Sequence, residues 1–202
     1  MSDPGFFAVV TGQRACRSFG PDPVPDGDVA RMLDAAVHAP SAENTQPWVF
    51  VVVRDAARRQ AIDGLTRRLW SDGARRHSQP RLDAGLFDEV DTATRDGFGG
   101  APIVIVVAGD GRGGTARTTL AASVFPAVQN LLLAANALGY GSALTTLTTL
   151  AGDELRAMVE LPDDVRPLAV VPVGRPARPL GPPRRTPAAA KTHLDRYGVP
   201  FA

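Results

Sequence analysis

The sequence predicts one mixed helix–strand domain, α/β or α+β, with helices covering a sheet. Three features carry that expectation. Trp48–Val53 (WVFVVV) and Pro102–Gly109 (PIVIVVAG) are unbroken apolar runs rich in β-branched residues, the composition of buried strands. Between and after them lie segments with the three-and-four apolar spacing of helices. Finally, 202 residues with 44% apolar and 21% charged side chains suit one sizeable core rather than disorder.

Helical periodicity appears first in DVARMLDAAV, where Val29, Met32, Leu33, Ala36 and Val37 form a core-facing stripe. Asp26 or Asp28 is the expected cap, Pro25 precedes it and Pro40 stops the helix. Trp48–Val53 then reads as a central strand, closed by Arg54 and Asp55. Residues 56 to about 72 continue as a helix. The stretch 73–100 is polar and rich in arginine and aspartate. Only Leu82, Leu86, Phe87 and Val90 suggest helical turns there, so a helix followed by a mobile excursion is expected. Pro102–Gly109 is a second buried strand, and DGRGG after it is a turn.

Thr119–Leu138 is the clearest helix, with Val124, Val128, Leu131, Leu132, Ala135 and Leu138 as its stripe. Pro126 is either tolerated near the start or marks a kink. GYGSALTTL gives a loop and a short strand. GDELRAMVEL is a small helix capped by Asp153, and Leu168–Val173 is a further strand. The proline-rich tail from Arg175 is too short for a domain and suited to crossing onto another subunit.

Charge is nearly balanced, 22 basic against 21 acidic residues, so nothing general points to nucleic acid. The single cysteine, Cys16, excludes an internal disulfide. The N-terminus lacks the charge and apolar run of a signal peptide, and no segment plainly reaches membrane-spanning length. A soluble cytoplasmic protein is expected.

Arg14 and Arg17, three apart, would share a face on a helix. With Arg184 and Arg185 in PPRRTP they form two basic pairs able to converge on a phosphate. The plain alternative is four solvated surface charges. In APSAENTQPW, Ser41, Asn44 and Gln46 offer donors and acceptors suited to a heterocycle edge or a ribityl chain. A capped helix exit bonded to its own backbone is the alternative. Gly139 and Gly141 permit close approach to a flat ring, or serve as an ordinary helix end. No dinucleotide-binding glycine fingerprint, phosphate-binding P-loop or hydrolase serine elbow is present. His38, His77 and His193 lack metal-ligand spacing. Cys16 lies between arginines that would lower its pKa, but a plain buried cysteine is the simpler role.

In order, QRACRSFGPDPVP, AAVHAPSAENTQPWVFVVV, APIVIVVAG, VFPAVQNLLLAANALGYGS, AVVPVGRPARP and RRTP with a HLDRYG ending resemble the FMN-dependent nitroreductase-like flavoproteins over nearly the whole chain. The resemblance implies an α+β nitroreductase-like fold: a mixed central sheet flanked by helices, in an interlocked homodimer. It implies one flavin-binding domain over 1–202, with 175–202 a tail wrapping the partner. It also implies two interfacial FMN sites, reduction by NADH or NADPH, and a small aromatic or quinone-like second substrate. Arg14 and Arg17 resemble the N-terminal phosphate contacts, and Arg184 or Arg185 the C-terminal one. Pro40, Ser41 and Asn44 resemble the segment beside the flavin, with Gln46 near its polar edge. Gly139 and Ser142 resemble the loop near the ring. The family's usual arginine and serine are replaced by Gln13 and Ala15, which removes a charge and a hydroxyl from the phosphate cradle. No side chain is implied as a nucleophile, because the chemistry belongs to the flavin.

Three alternatives stay open. One is a relative with other redox chemistry (dehydrogenation, ring fragmentation or dehalogenation), decided by polar groups from Leu82 to Phe98. The others are a deazaflavin donor and a non-enzymatic flavin-binding protein.

Overall fold

The computed structural model describes residues 5–112 and 116–201, so Gly113 and Gly114 of the expected turn lie outside the described residues. The elements in order are α1 (Phe6–Gly12), α2 (Asp26–Val37), β1 (Trp48–Val53), α3 (Ala56–Leu69), α4 (Arg75–Ser78) and α5 (Ala84–Arg95). There follow β2 (Ile103–Asp110), α6 (Arg117–Ala137), β3 (Gly141–Ser142), α7 (Gly152–Met158) and β4 (Val165–Gly174). This is an α+β arrangement with a central sheet flanked by helices, in the order β1-β2-β4-β3. The three ladders are antiparallel. The mixed character of the sheet rests on one parallel bridge, Ala15 to Ser142.

Alternation along β2 explains its unbroken apolar sequence. Ile103, Ile105 and Val107 point to one apolar cluster, with α2 and α6. Val104, Val106 and Ala108 point to a second, with α3 and α7. A strand covered on both faces has no polar side. β1 has the same composition but is not central: it pairs with β2 alone and its residues are half-buried except Val53. An apolar run reports covered faces, not covered edges, so sequence could not separate the two strands.

α6 spans 21 residues and buries Leu120, Val124, Val128, Leu131, Leu132 and Ala135. Its mean hydropathy of 1.4 meets the criterion for a membrane span by length and composition, contrary to the expectation from sequence, yet here it packs as a core helix. Pro126 sits well inside it. The helix ends in a Schellman motif: Tyr140 N–H donates to Ala135 O at 2.8 Å and Gly139 N–H to Asn136 O at 2.9 Å, with Gly139 at φ 77°.

Capping differs from expectation at two helices. Pro25 occupies the cap of α2, leaving Asp26 and Asp28 in its first turn, where Asp26 pairs with Arg54 at 2.6 Å and Asp28 accepts from Tyr140 Oη at 2.6 Å. Asp153 does not cap α7; Ala151 stands there, and Asp153 lies in the first turn. α1 was not expected from sequence, being a single short run tied to α6 by Asn136 Nδ2 donating to Val9 O. The stretch 73–100 is more helical than expected. It holds α4, α5 and short turns at Gln79–Arg81 and Phe98–Gly100, and α3 enters it through a π turn at Trp70–Ala74.

Candidate functional site

A cavity of about 620 Å³ opens on the α3–α5 side of the sheet, lined among others by Cys16, Trp70, Val90, Phe98, Ala143 and Pro172. Its outer wall, α5, is fixed by a carboxylate. Asp91, 8% exposed, accepts from Trp70 Nε1 at 2.7 Å and Arg75 Nε at 2.9 Å, and pairs with Arg95 at 2.7 Å. Burial pushes the Asp91 carboxyl up, but these bonds and charges outweigh it and hold it below its ordinary value. Arg75 also lies over the Phe87 ring, 5.1 Å from its centroid. Trp70 is thereby held in the cavity wall by Asp91 of α5, itself braced by Arg75 of α4.

Arg14 and Arg17 do not lie on a helix. Residues 13–18 are non-helical, with Ala15 bridged to Ser142, so helical spacing is not what unites them. They nevertheless line one recess of about 230 Å³, together with Arg178 and Glu89. Arg17 lines both this recess and the larger cavity, and its Nη1 lies 3.3 Å from Glu89 Oε1. Arg178 was not singled out from sequence; it arrives because the tail pairs back onto the same segment. Ala177 N–H donates to Ser18 O at 3.0 Å, Gly20 N–H donates to Arg175 O at 2.8 Å, and Arg14 Nη1 reaches Gly181 O at 3.2 Å. Arg184 and Arg185 do not join the recess. Both are exposed, and Arg185 donates to the carbonyl of Arg184.

The backbone beneath Arg17 is set by Gly97–Gly100. Gly97, Phe98, Gly99 and Gly100 all have positive φ, 67°, 49°, 65° and 77°, and Phe19 N–H donates to Gly99 O at 2.8 Å. A Cβ on Gly99 would stand 1.9 Å from Arg17 O. The DGFGG run was the available signal, but only the fold reveals what the glycines approach.

The polar loop is built as a self-bonded turn. Ser41 Oγ accepts from Gln46 N–H at 3.0 Å, Gln46 Nε2 donates to Asn44 Oδ1 at 3.3 Å, and Ala42 N–H donates to Ser123 Oγ at 3.1 Å. Glu43, Asn44 and Gln46 have φ of 52°, 55° and 49°, a left-handed conformation costing roughly 1 kcal/mol for a residue with a side chain. Pro40, Asn44 and Gln46 are exposed and Ser41 half-buried. This loop enters β1 at Trp48, level with Gly109, whereas Ala15 and Ser142 lie level with Val173 and Ile103 at the other end and edge. At ordinary strand spacings the separation is about 20 Å along the sheet and about 19 Å across it. One chain therefore does not bring the loop and the arginines together.

Gly139 serves the helix end described above, with Arg175 Nη1 donating to its carbonyl at 3.0 Å. Ser142 is buried in β3, and its carbonyl accepts from Cys16 N–H at 2.9 Å. Burial pushes the Cys16 thiol up despite the neighbouring arginines, opposite to the lowering expected from them. Among the described residues no three His, Cys, Asp or Glu side chains form a metal-ligand cluster.

Arg112, outside this region, bonds Asp110 through Nε at 2.9 Å. These bonds hold the Asp110 carboxyl at about 2. The folded state thus favours the carboxylate. Its stabilisation should be present above about pH 4 and lost as pH falls through about 2. Acid titration of Asp110→Asn should show a smaller fall in stability across that window; an unchanged profile would show that the pair contributes nothing.

A family model described as "Nitroreductase family" matches residues 10–175. The chain is 33% identical over 181 residues to 5,6-dimethylbenzimidazole synthase of Rhodospirillum rubrum, covering 85% of this chain and 82% of that protein. Among solved structures it is similar to a nitroreductase from Desulfovibrio desulfuricans in complex with FMN, with TM-score 0.75, 24% identity and coverage of 97% and 99% of the two chains. A BluB-like flavoprotein from Clostridium difficile 630 gives TM-score 0.75 at 20% identity, covering 96% of this chain and all of the other. The chain belongs to the nitroreductase family.

Proposed function

We propose that the chain is a single flavin-binding domain acting as a homodimeric, FMN-dependent oxidoreductase. It takes reducing equivalents from NADH or NADPH to a small conjugated electrophile such as a nitroaromatic or quinone. The observation that carries this reading is Arg17, common to the arginine-lined recess and the larger apolar cavity. A cofactor with a phosphate at one end and a flat ring at the other suits such a pair of spaces.

FMN, when bound, supplies the electron relay between nicotinamide donor and acceptor. The chain's residues bind and orient. Arg14, Arg17 and Arg178 hold the phosphate through charge-assisted bonds. The wall formed by Trp70, Phe98 and Pro172 excludes water and favours planar apolar molecules. Pro40, Ser41, Asn44 and Gln46 serve the partner's site, since their own chain keeps them far from its arginines. The half-open β1 edge and the exposed Phe6 and Phe7 (69% and 79%) support burial against a second copy. The exposed tail would carry Arg184 or Arg185 there as well.

The R. rubrum relative supports a second reading, different redox chemistry in the same pocket. From residues 82–98 the cavity receives Leu82, Val90, Ala93, Thr94 and Phe98. The one hydroxyl there, on Thr94, donates to Val90 O at 2.8 Å. Residues 82–98 thus bring few polar handles, which favours simple reduction of an apolar acceptor; the cavity's other polar lining, Thr66, His77, Ser78, Thr145 and Thr146 among it, comes from elsewhere.

The test is an anaerobic absorbance spectrum of the purified protein before and after NADH or NADPH. Flavin bands that bleach on addition are expected. Persistent bands would favour a deazaflavin donor or a non-enzymatic role, and no bands after added FMN would overturn the flavin reading.

A further inference from the structure

The recess around Arg14 and Arg17 is not purely basic. Glu89, on α5, lines it with Arg14, Arg17 and Arg178, three guanidinium groups against one carboxylate. Its Oε1 lies 3.3 Å from Arg17 Nη1, and the two side chains are only 24% and 25% exposed. Arg17 is the guanidinium shared with the larger cavity. Glu89 therefore occupies, on the arginine common to both spaces, the acceptor position that a phosphate oxygen would take. α5 has little freedom to withdraw it, because Asp91, two residues on, is held from outside the helix by Trp70 and Arg75.

The geometry points to Glu89 as a specificity-determining residue that opposes phosphate at this recess and so limits the preference for FMN over riboflavin. The inference rests on the flavin reading above. A phosphate monoester carries a charge of about −1.5 to −2 at pH 7. Bound beside Arg17, it must displace the carboxylate from its partner and remain near it. Both consequences disfavour the phosphorylated ligand, and neither acts on riboflavin, which has the same ring and ribityl chain without the charge. The absence of an arginine at Gln13 leaves no additional guanidinium there to offset the carboxylate.

The test compares FMN and riboflavin titrations of the natural chain and Glu89→Gln at low and high salt. Glu89→Gln should bind FMN about three- to tenfold more tightly at low salt, less so at high salt, and riboflavin unchanged. Glu89→Asp, which keeps the charge, should remain close to the natural chain. Unchanged or weaker FMN binding by Glu89→Gln overturns the proposal. So does an equal change for both flavins, which would mean a general effect on packing. If the natural chain binds neither flavin, the reading beneath the proposal falls with it.

Discussion

Arg17→Ala is expected to weaken FMN binding by about ten- to hundredfold, Arg14→Ala by about tenfold, and Arg112→Ala by less than about twofold. The ranking follows from position. Arg17 lines both the recess and the cavity, and its removal also leaves Glu89 without its partner, adding repulsion to a lost bond. Arg14 lines the recess alone and already donates to Gly181 O, so part of its bonding capacity is spent on the tail. Arg112 is engaged with Asp110 and lines neither space. Riboflavin separates a phosphate contact from misfolding, because its affinity should fall much less than that of FMN in the Arg14 and Arg17 variants. Equal losses of FMN affinity across the three would remove the phosphate assignment.

Much of the frame was legible because it depends on local pattern. The sheet interior, the stripe of α6 and the stripe of α2, except Val37, which is 41% exposed at the end of its helix, follow from periodicity, and the structure gives them one physical cause, a sheet covered on both faces. What was not legible depends on which parts of the chain meet. Arg14 and Arg17 were grouped by a helical spacing they do not use; they reach one recess from a non-helical segment that is bridged to Ser142 at Ala15. Arg178 and Arg184 occur in similar proline-bracketed surroundings, yet only the first is delivered to the recess by pairing with Ser18. The polar loop satisfied the plain expectation in part, as Ser41 bonds its own backbone. Its three left-handed residues are strain that such capping does not require.

Gly99 carries the other large expected effect. Gly99→Ala should lower stability by about 3 kcal/mol or more, a fall in melting temperature of about 6–12 °C. Two terms add. A side chain in the left-handed region costs roughly 1–2 kcal/mol. In addition, its Cβ would meet Arg17 O at 1.9 Å and Arg17 C at 2.6 Å, backbone atoms that cannot rotate away. Relief requires moving either the Gly97–Gly100 turn, with Phe98 in the cavity wall, or the segment bearing Arg17. The variant should therefore also lose FMN affinity in material that remains folded at low temperature. Gly64→Ala is the matched control. It lies inside α3 with nothing within 4 Å of its Cβ position, so alanine there should stabilise by about 0.5–1 kcal/mol. Thermal melts moving in opposite directions would tie the turn to the arginine. If Gly99→Ala instead melts with Gly64→Ala, the close approach does not exist, and the placement of Arg17 needs another cause.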